Sequence, residues 1–443
     1  MASKSKPIAE QQVYDTNTPS TGAFDIPTGT TAQRPSSPTS GMIRYNTDTQ
    51  ATEIYDGTQW GKVSPVLPTL SSVTGTPYTT IASNLTLAGT GFLAANLVVG
   101  FTPSGGSQTT VTVTPTSDTA ATVAVPSAIY NQSGGTSISV TVTNSDNRTS
   151  TALSFNVLSL PSGGDHVFNQ GSARVHIFKS NANFVVPSGV SLSNVEYLIV
   201  AGGGGGANNG GGGGAGGLRS SVVGDTSGRG ASAETRMSLS AATYPVVVGT
   251  GGSGTNGASG GQQTNGVASS FNSISSTGGG AGGEIYGSGG AAGGSGGGGA
   301  GYSGTSGGAG TSGQGYDGGV GHTINSGGYA GGGGGGAGVV GGNASASASG
   351  IGGDGQISTI ITTSEATTYS VGDVVSSDVY FAGGGHGRGA GTNPSTTARG
   401  SYGGGGQAVT AQEGVDYTGG GGGAHNSNAN NGGDGVVIIR YTL

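Results

Sequence analysis

The 443-residue chain contains no cysteine, which excludes a disulfide framework and any Cys-based zinc or redox site. Its stability must come from packing, hydrogen bonding or oligomerisation. Charge is also scarce: 8% of residues are charged, the formal net charge is -7, and only "SKSK" near the start is locally basic. Nucleic acid is therefore not an expected partner, because neutralising phosphates requires several cations gathered on one face. Long hydrophobic runs are absent too. "YLIVA" and "GVVIIRY" fall far short of the roughly 20 residues of a membrane span, and "MASKSKPIAEQQVYD" lacks the apolar core of a secretory signal. We expect no membrane insertion, and a protein working outside a cell would get there by lysis or by assembly into a particle.

What the chain has is glycine, 100 residues of it, mostly beyond Ala201. Composition shifts along the length divide it into three expected domains, residues 1–65, 66–160 and 166–443, with an all-β fold throughout. In the first, "MIRYN" and "TEIYDG" flank the turn-forming "TDTQA", which predicts a β-hairpin with Trp60 just beyond it. A hairpin of this size is unstable alone. Met42, Ile43, Tyr45, Ile54, Tyr55 and Trp60 are therefore expected to pack on something else: further copies of the same chain, or the chain's own next domain.

The stretch "IPTGTTAQRPSSPTSGMIRYNTDTQATEIYDGTQW" resembles a module found near the start of many phage fibre and virion appendage proteins. Over about 35 residues, "P-x-G-T-T-A-Q-R-P" leads to "G-M-I-R-Y-N" and a closing "Y-D/N-G-T-x-W". The resemblance implies a particle-bound structural protein attached through its N-terminus to tail, neck or capsid proteins. Homotrimers are usual for such fibres.

Residues 66–160 alternate apolar and polar in "NLTLAGTGF", "LVVGFTP", "TTVTVTP", "TAATVAVP" and "TSISVTVTN", spaced near ten residues apart. This predicts an immunoglobulin-like β-sandwich with Val111, Val113, Val123, Val125, Ile138, Val140 and Val142 on one inward face. "LTLAGTGF" with "ATVAVPSAIYNQSGGTSISVTVTN" resembles the IPT/TIG domains, whose pattern does not need paired cysteines. The role expected of it is that of a spacer.

In residues 166–443 glycine runs alternate with β-favouring pieces: "NVEYLIVAG", "TYPVVVGTGG", "VASSFNSIS", "GQISTIITTS", "SSDVYFAGGG" and the terminal "DGVVIIRYTL". A flexible linker has no reason for such punctuation. Collagen is excluded by 15 prolines and by runs of five or six glycines, and calcium-binding nonapeptides by the single imperfect "SGQGYDGGV". The remaining ordered state is a bundle of left-handed polyproline-II-type helices, three residues per turn, whose backbone groups pair with neighbouring helices. Each bond contributes about 0.5 to 1.5 kcal/mol against about 1 to 2 kcal/mol of ordering cost per residue. Only a lattice of many such rods holds together, and the strands should set its register. Nearly 280 residues, including "VEYLIVAGGGGGANNGGGGGAGGLRSS" and "GGDGVVIIRYTL", resemble the glycine-rich C-terminal domain of phage tail fibres and adhesins. That resemblance implies loops, carried on a glycine sandwich, that contact a host glycan or outer-membrane protein.

Catalysis is not expected. G-x-G-x-x-G recurs only as often as glycine frequency dictates, and no P-loop or nucleophile elbow is present. His166, His176, His322, His386 and His425 fit no metal spacing, and the carboxylates are scattered. No cofactor is expected. Candidate receptor contacts are the aromatics set among glycines, Tyr286, Tyr302, Tyr316, Tyr329, Phe381, Tyr402 and Tyr417, with His386 and Arg388 of "GGGHGRGAG". Tyrosine offers a flat apolar ring with a polar tip at low entropy cost. The opposing reading is that these rings cap the edges of the glycine sandwich. The chain reads as a phage tail fibre or tail-associated adhesin on the virion surface. The alternatives are a capsid or neck decoration fibre and, less favoured, a cell-surface or ice-binding polyglycine protein.

Overall fold

The computed structural model describes residues 26–63, 67–93, 96–145, 147–254, 263–284, 287, 289–302, 304–324, 328–389, 401–408, 412–425 and 430–443. The fold is all-β, in two compact units, Met1–Val157 and Leu158–Leu443.

The first unit opens with a four-stranded sheet: β1 (Thr28–Gly29), β2 (Ile43–Asn46), β3 (Ala51–Tyr55) and β4 (Trp60–Lys62), in that spatial order. The expected hairpin is β2–β3, paired Ile43 with Ile54 and Arg44 with Glu53. Trp60, just beyond the hairpin as expected, opens a third antiparallel strand, opposite Tyr55, with ring centroids 5.5 Å apart. One face of this sheet is polar and closed. Glu53, 2% exposed, accepts from Arg34 Nε and Nη2 at 3.1 and 2.6 Å, accepts from Asn46 Nδ2 at 3.1 Å, and lies 3.4 Å from Arg44 Nε. Arg44 Nη2 donates to the Thr30 carbonyl and Asp48 accepts the Thr31 N–H, so the "TTAQR" segment is tied across the sheet by side chains rather than by an apolar core. The period of two then leaves Ile43, Tyr45 and Ile54 together on the opposite face, where Ile43 is 41% exposed. The six predicted contact residues therefore split between faces, with Tyr55 and Trp60 on the side of Glu53.

Beyond it, β5 (Thr69–Thr74), β6 (Asn84–Thr90) and β9 (Ala120–Ala124) form one antiparallel sheet. A second consists of β7 (Leu97–Pro103), β8 (Thr109–Val113), β10 (Ser137–Thr143) and β11 (Leu153–Asn156). The short helix α1 (Ser127–Tyr130) follows β9. Leu85, Leu87 and Val123 from the first sheet and Val99, Phe101, Ile138, Val140 and Val142 from the second share one buried core. The predicted inward valines are thus two facing layers rather than one face. Val111 and Val113 only border the core because β8 is an edge strand.

In the second unit the strands form a base. β12 (His166–Gln170), β13 (Ala173–Phe178), β26 (Val436–Thr442), β15 (Leu192–Val200) and β16 (Leu218–Ser220) lie side by side, with β17 (Met237–Leu239) also on β15. A second sheet contains β14 (Ala182–Val186), β18 (Ala242–Val247), β19 (Ser269–Phe271) and β20 (Ile274–Ser276). Alternate residues of β13, β15 and β26 bury on both sides, which is why "YLIV" and "VVII" read as continuous apolar runs. On one side Val175, Ile177, Leu198, Val200, Val436 and Ile438 join Ile360, Ile361 and Phe381. On the other, His176 stacks on Tyr441 and meets Phe184 edge-on, and Phe184 meets Phe271. His176 is fully buried, and burial lowers its pKa to about 4, so it stays neutral. Its Nδ1 lies 2.7 Å from the Gly163 carbonyl, which requires Nδ1–H as donor and leaves Nε2 to accept from the Tyr441 hydroxyl at 3.0 Å.

From this base glycine rods run out and back. β15 continues into 202–206, which turns at 207–210 and returns through 211–217 into β16. The sheet register carries into the rods: Val200 pairs with Val436 and Leu218, and Gly203 then bonds to Gly433 and Gly204 to Gly214. Successive residues of one rod bond to different neighbours with a period of three. The N–H groups of Gly211, Gly214 and Gly217 donate to the carbonyls of Gly283, Gly280 and Thr277, those of Gly212 and Ala215 to Gly332 and Gly335, and those of Gly213 and Gly216 to Gly422 and Gly419. The rod 331–337 repeats the pattern toward Arg388, Gly385 and Ala382, toward Gly299 and Gly296, and toward Gly342 and Val339. None of the glycines 202–206 or 211–217 has a positive φ, as a left-handed threefold helix requires. A Cβ on Gly211, Gly212 or Gly213 would stand 1.9 to 2.0 Å from a neighbouring rod's carbonyl oxygen.

Three elements interrupt the glycine array. β21 (His322–Ile324) and β22 (Gly328–Ala330) form a hairpin at one turn. β23 (Gln356–Ile357), β24 (Asp373–Val375) and β25 (Asp378–Phe381) make a small sheet. The run "GQISTIITTS", expected to be a strand, supplies only β23 before the chain enters α2 (Thr363–Tyr369). A helix was not expected there. Its start is a capping box, in which Glu365 accepts the Thr362 N–H at 2.8 Å and the Thr362 hydroxyl accepts the Glu365 N–H at 3.3 Å.

Two outcomes follow. Gly213→Ala should lower stability by about 3 kcal/mol or more, because a methyl would overlap a backbone carbonyl that other bonds hold in place. Gly287→Ala, whose Cβ would approach, among the described residues, only the flexible Glu284 side chain at 3.7 Å, should change it by less than about 0.5 kcal/mol. Urea denaturation of the two variants checks this. In the N-terminal sheet the Arg34 hydrogen bonds, with Asn46 and Arg44, hold the Glu53 carboxyl below its ordinary 4.5 against the opposing effect of burial. A depressed folded value means that this stabilisation is present above pH 4.5 and is lost as the pH falls through the folded value. Fluorescence of Trp60, the single tryptophan, should therefore show an acid transition below that pH, and Glu53→Gln should abolish its pH dependence while lowering the sheet's melting temperature.

Candidate functional site at the turn end of the glycine lattice

Within the lattice there are almost no side chains to recognise anything. Chemistry is available only where rods turn. The rods leave the base together, so the described turn residues 207–210, 301–302, 304–305, 322–324, 328–330, 344–349, 424–425 and 430 lie at one end, about 19 Å from the base for a six-residue rod at ~3.1 Å per residue.

These turns are fastened to one another. Asn209, at φ 47, donates its N–H to the His425 carbonyl at 3.0 Å, and the His425 N–H returns to Ala207 at 3.3 Å. Arg388 donates its N–H to Gly210 at 3.0 Å, accepts from Gly331 at 2.9 Å and reaches the Ala408 carbonyl through Nη1 at 2.9 Å. Thr323 of the β21–β22 hairpin donates to the Tyr302 carbonyl at 2.8 Å and sits opposite Tyr329, while Ala330 bridges to Gly389. The fold thereby brings Tyr302, Tyr329 and Arg388 into one neighbourhood, with Tyr302 49% exposed.

His386 is not at a tip. It lies one step inside, 4% exposed, with its N–H on Gly406 and its carbonyl on Ala424, and its Nε2 has no partner among the described residues. Burial lowers its pKa to about 4. Burial and the Arg388 charge likewise hold His425 low. The Nε atom of Arg388 and the Oδ1 of the buried Asn430 also have no partner among the described residues. Among the described residues the turn end thus offers one guanidinium, neutral imidazoles, amides and two tyrosines, a set suited to hydrogen bonding with polyhydroxy or amide surfaces. Asn208, Asn209, His425 and Asn430 were not singled out from the sequence. The available signal was their position, since "ANN" and "HNSNANN" break glycine runs at rod-length intervals.

The other predicted contacts lie elsewhere. Tyr286 falls outside the described residues. Phe381, fully buried on the inward side of β25, belongs to the core of the base and offers no surface. Tyr316 lies beneath the Arg229 guanidinium at 5.5 Å, where Arg229 also pairs with Asp317 at 2.8 Å. Tyr417, held at φ 60, lies beneath the Lys179 ammonium at 4.1 Å. Both rings close the base end of the lattice. Tyr402 is at the base end too, against Tyr380. The nine residues therefore do not form one surface. Among the described residues no group of three or more His, Cys, Asp or Glu side chains is placed to hold a metal ion, and no helix is long and apolar enough to cross a membrane.

No curated protein and no solved structure matches the chain. A family model for the glycine-rich domain matches residues 178–442, well over half of the 443, running from the last residue of β13 to the last of β26 and so enclosing the lattice and most of its base. By that match the chain belongs to the glycine-rich domain family.

Proposed function

We propose that this is a bacteriophage virion protein, a tail fibre or tail-associated adhesin, that attaches the particle to the host surface through the turn end of its glycine lattice. The observation that carries the reading is the gathering of Tyr302, Tyr329 and Arg388 at the end of a lattice whose rods carry almost no side chains. A scaffold bonded on three sides holds its turns in place, which lowers the entropy lost on binding. The resemblance of "IPTGTTAQRP" and "GMIRYN" to virion appendage modules supplies the other half: residues 1–65 join other virion proteins, and the IPT/TIG-like sandwich is a spacer. Binding is non-covalent, with no catalysis, cofactor, nucleic acid or membrane insertion.

In this reading the outward Ile43, Tyr45 and Ile54 face meets the same face of other copies, and the assembly is a homotrimer that multiplies weak attachments. Sedimentation equilibrium of the full chain should then give three times the 42.1 kDa protomer mass, and Ile43→Asp should give the monomer. A monomeric parent chain removes the trimer. For attachment, the purified full chain should adsorb saturably to the bacterium that the phage infects and compete with the particle. Arg388→Ala with Tyr302→Ala should weaken adsorption about tenfold or more. Failure of the folded chain to adsorb, while the particle does, refutes the reading.

A further inference from the structure

Rods 211–217 and 331–337 are glycine apart from one alanine each, but four neighbouring rods are not. Residues 305–311, 317–321, 339–344 and 351–355 lie side by side in that order. The Gly318 N–H donates to the Gly308 carbonyl at 2.9 Å, Gly341 to Asp317 at 3.0 Å, Ala344 to Val320 at 2.8 Å and Gly342 to Ile351 at 2.8 Å. Behind them lie rods 293–299 and 331–337, reached by the N–H groups of Gly308, Gly319 and Gly353 at the carbonyls of Gly297, Gly333 and Gly334. Each of the four rods carries side chains three residues apart: Ser306 and Ala309, Asp317 and Val320, Val340 and Asn343, Ile351 and Asp354. The two residues between the members of each pair are glycines, and a Cβ on Gly308, Gly319 or Gly352 would stand 2.0 Å from a neighbouring carbonyl oxygen.

Three residues make one turn of such a helix, so the members of a pair stand on the same side of their rod. That side is the outer one. Val320 is 42% exposed, Val340 51% and Ile351 57%; Ser306, Ala309 and Asn343 are exposed as well, and Asp317 and Asp354 are half-buried. Backbone bonding stops at the same eight residues. Among the described residues none of their N–H groups donates to a backbone carbonyl, and the Val320 N–H goes instead to Asn343 Oδ1 at 2.8 Å. In rod 211–217, by contrast, every N–H reaches a carbonyl of a neighbouring segment. The outer rods thus lack one direction of bonding, and the residues that lack it are those that carry a Cβ. A further layer of rods would have to come within hydrogen-bonding distance of these N–H groups, and the side chains stand in its way. Valine and isoleucine, branched at Cβ and stiff at χ1, cannot fold away from the approach.

We propose that these outward side chains terminate the lattice, keeping the glycine rods of a second copy of the chain from adding to this face. They bind no ligand, and their role holds whether or not the protein attaches to a host. Without them, copies gathered in one assembly would present rows of unpaired backbone groups to each other, as bare sheet edges do. The test compares two variants of the full chain. One carries Val320→Gly, Val340→Gly, Asn343→Gly and Ile351→Gly, which removes the Cβ atoms. The other carries Val320→Ser, Val340→Ser, Asn343→Ser and Ile351→Ser, which removes the apolar surface and the Asn343 bond but keeps the Cβ atoms. In sedimentation velocity the glycine variant should reach about twice the parent's mass or more, rising with concentration, and the serine variant should keep the parent's mass. A glycine variant at or below the parent's mass, as an apolar docking surface would give, overturns the proposal. So does a serine variant that associates as far as the glycine variant. Amide hydrogen exchange of the parent chain keeps the proposal testable if the glycine variant fails to fold. The N–H groups of Ser306, Ala309, Val340 and Ile351 should exchange about a hundredfold faster or more than those of Gly308, Gly318, Gly341 and Gly342, which are bonded within the lattice. Equal protection of the two sets means that another layer already covers the face, and overturns it.

Discussion

The second unit depends on a close approach between backbones that only glycine permits. In a sheet each strand has two neighbours, and side chains occupy the remaining directions. A glycine rod with threefold symmetry bonds to three neighbours, and the directions a Cβ would take are filled by carbonyl oxygens, which at Gly211, Gly212 and Gly213 stand 1.9 to 2.0 Å from where that Cβ would be. The entropy cost of ordering glycine is the highest of any residue, and no single rod repays it. Bonding on three sides at once does, provided that the rods start in register. β15, β16 and β26 provide that start, since pairs set in the sheet, such as Val200 with Val436, continue as Gly203 with Gly433.

The three parts of the chain solve the problem of cohesion in three ways. The sandwich uses a conventional apolar core in which Phe101, Leu85 and Ile138 are fully buried. The N-terminal sheet has too few residues for such a core and instead encloses Glu53 between two arginines and an amide. Removing one partner from such a network strands a buried charge, which fixes the geometry tightly at little net gain in stability. It also frees Ile43, Tyr45 and Ile54 from any duty inside the module. The lattice uses backbone alone.

This division confines recognition to particular places. A rod has nothing to offer a ligand, so side chains matter only at turns and at the base, the two ends of every rod. The turn end holds cationic and neutral hydrogen-bonding groups, with Arg388 and His425 among amides. At the base end Tyr380 and Tyr402 lie among carboxylates. The base also carries cations, Arg229 over Tyr316 and Lys179 over Tyr417, so what tells the two ends apart is the set of neighbours around each ring, although the tyrosines themselves look alike in the sequence.

Glycine content, the even punctuation by strands, the β2–β3 hairpin and the alternation of the sandwich were determined by local sequence, because each depends on propensities and periods that act within a few residues. So, in retrospect, was α2, since Thr362 and Glu365 form a capping box three residues apart, although the surrounding isoleucines suggested a strand. The fates of the aromatics were decided only by tertiary structure. "DVYFAGGG" places Tyr380 and Phe381 side by side, yet the pleat sends one out and buries the other completely. Tyr316, Tyr402 and Tyr417 stand in equally glycine-rich surroundings, and what covers each ring, Arg229, Tyr380 or Lys179, comes from at least 22 positions away in the chain. The direction in which a rod runs decides which end a residue occupies. That direction is set by counting turns across the whole lattice, information that no short window of sequence contains.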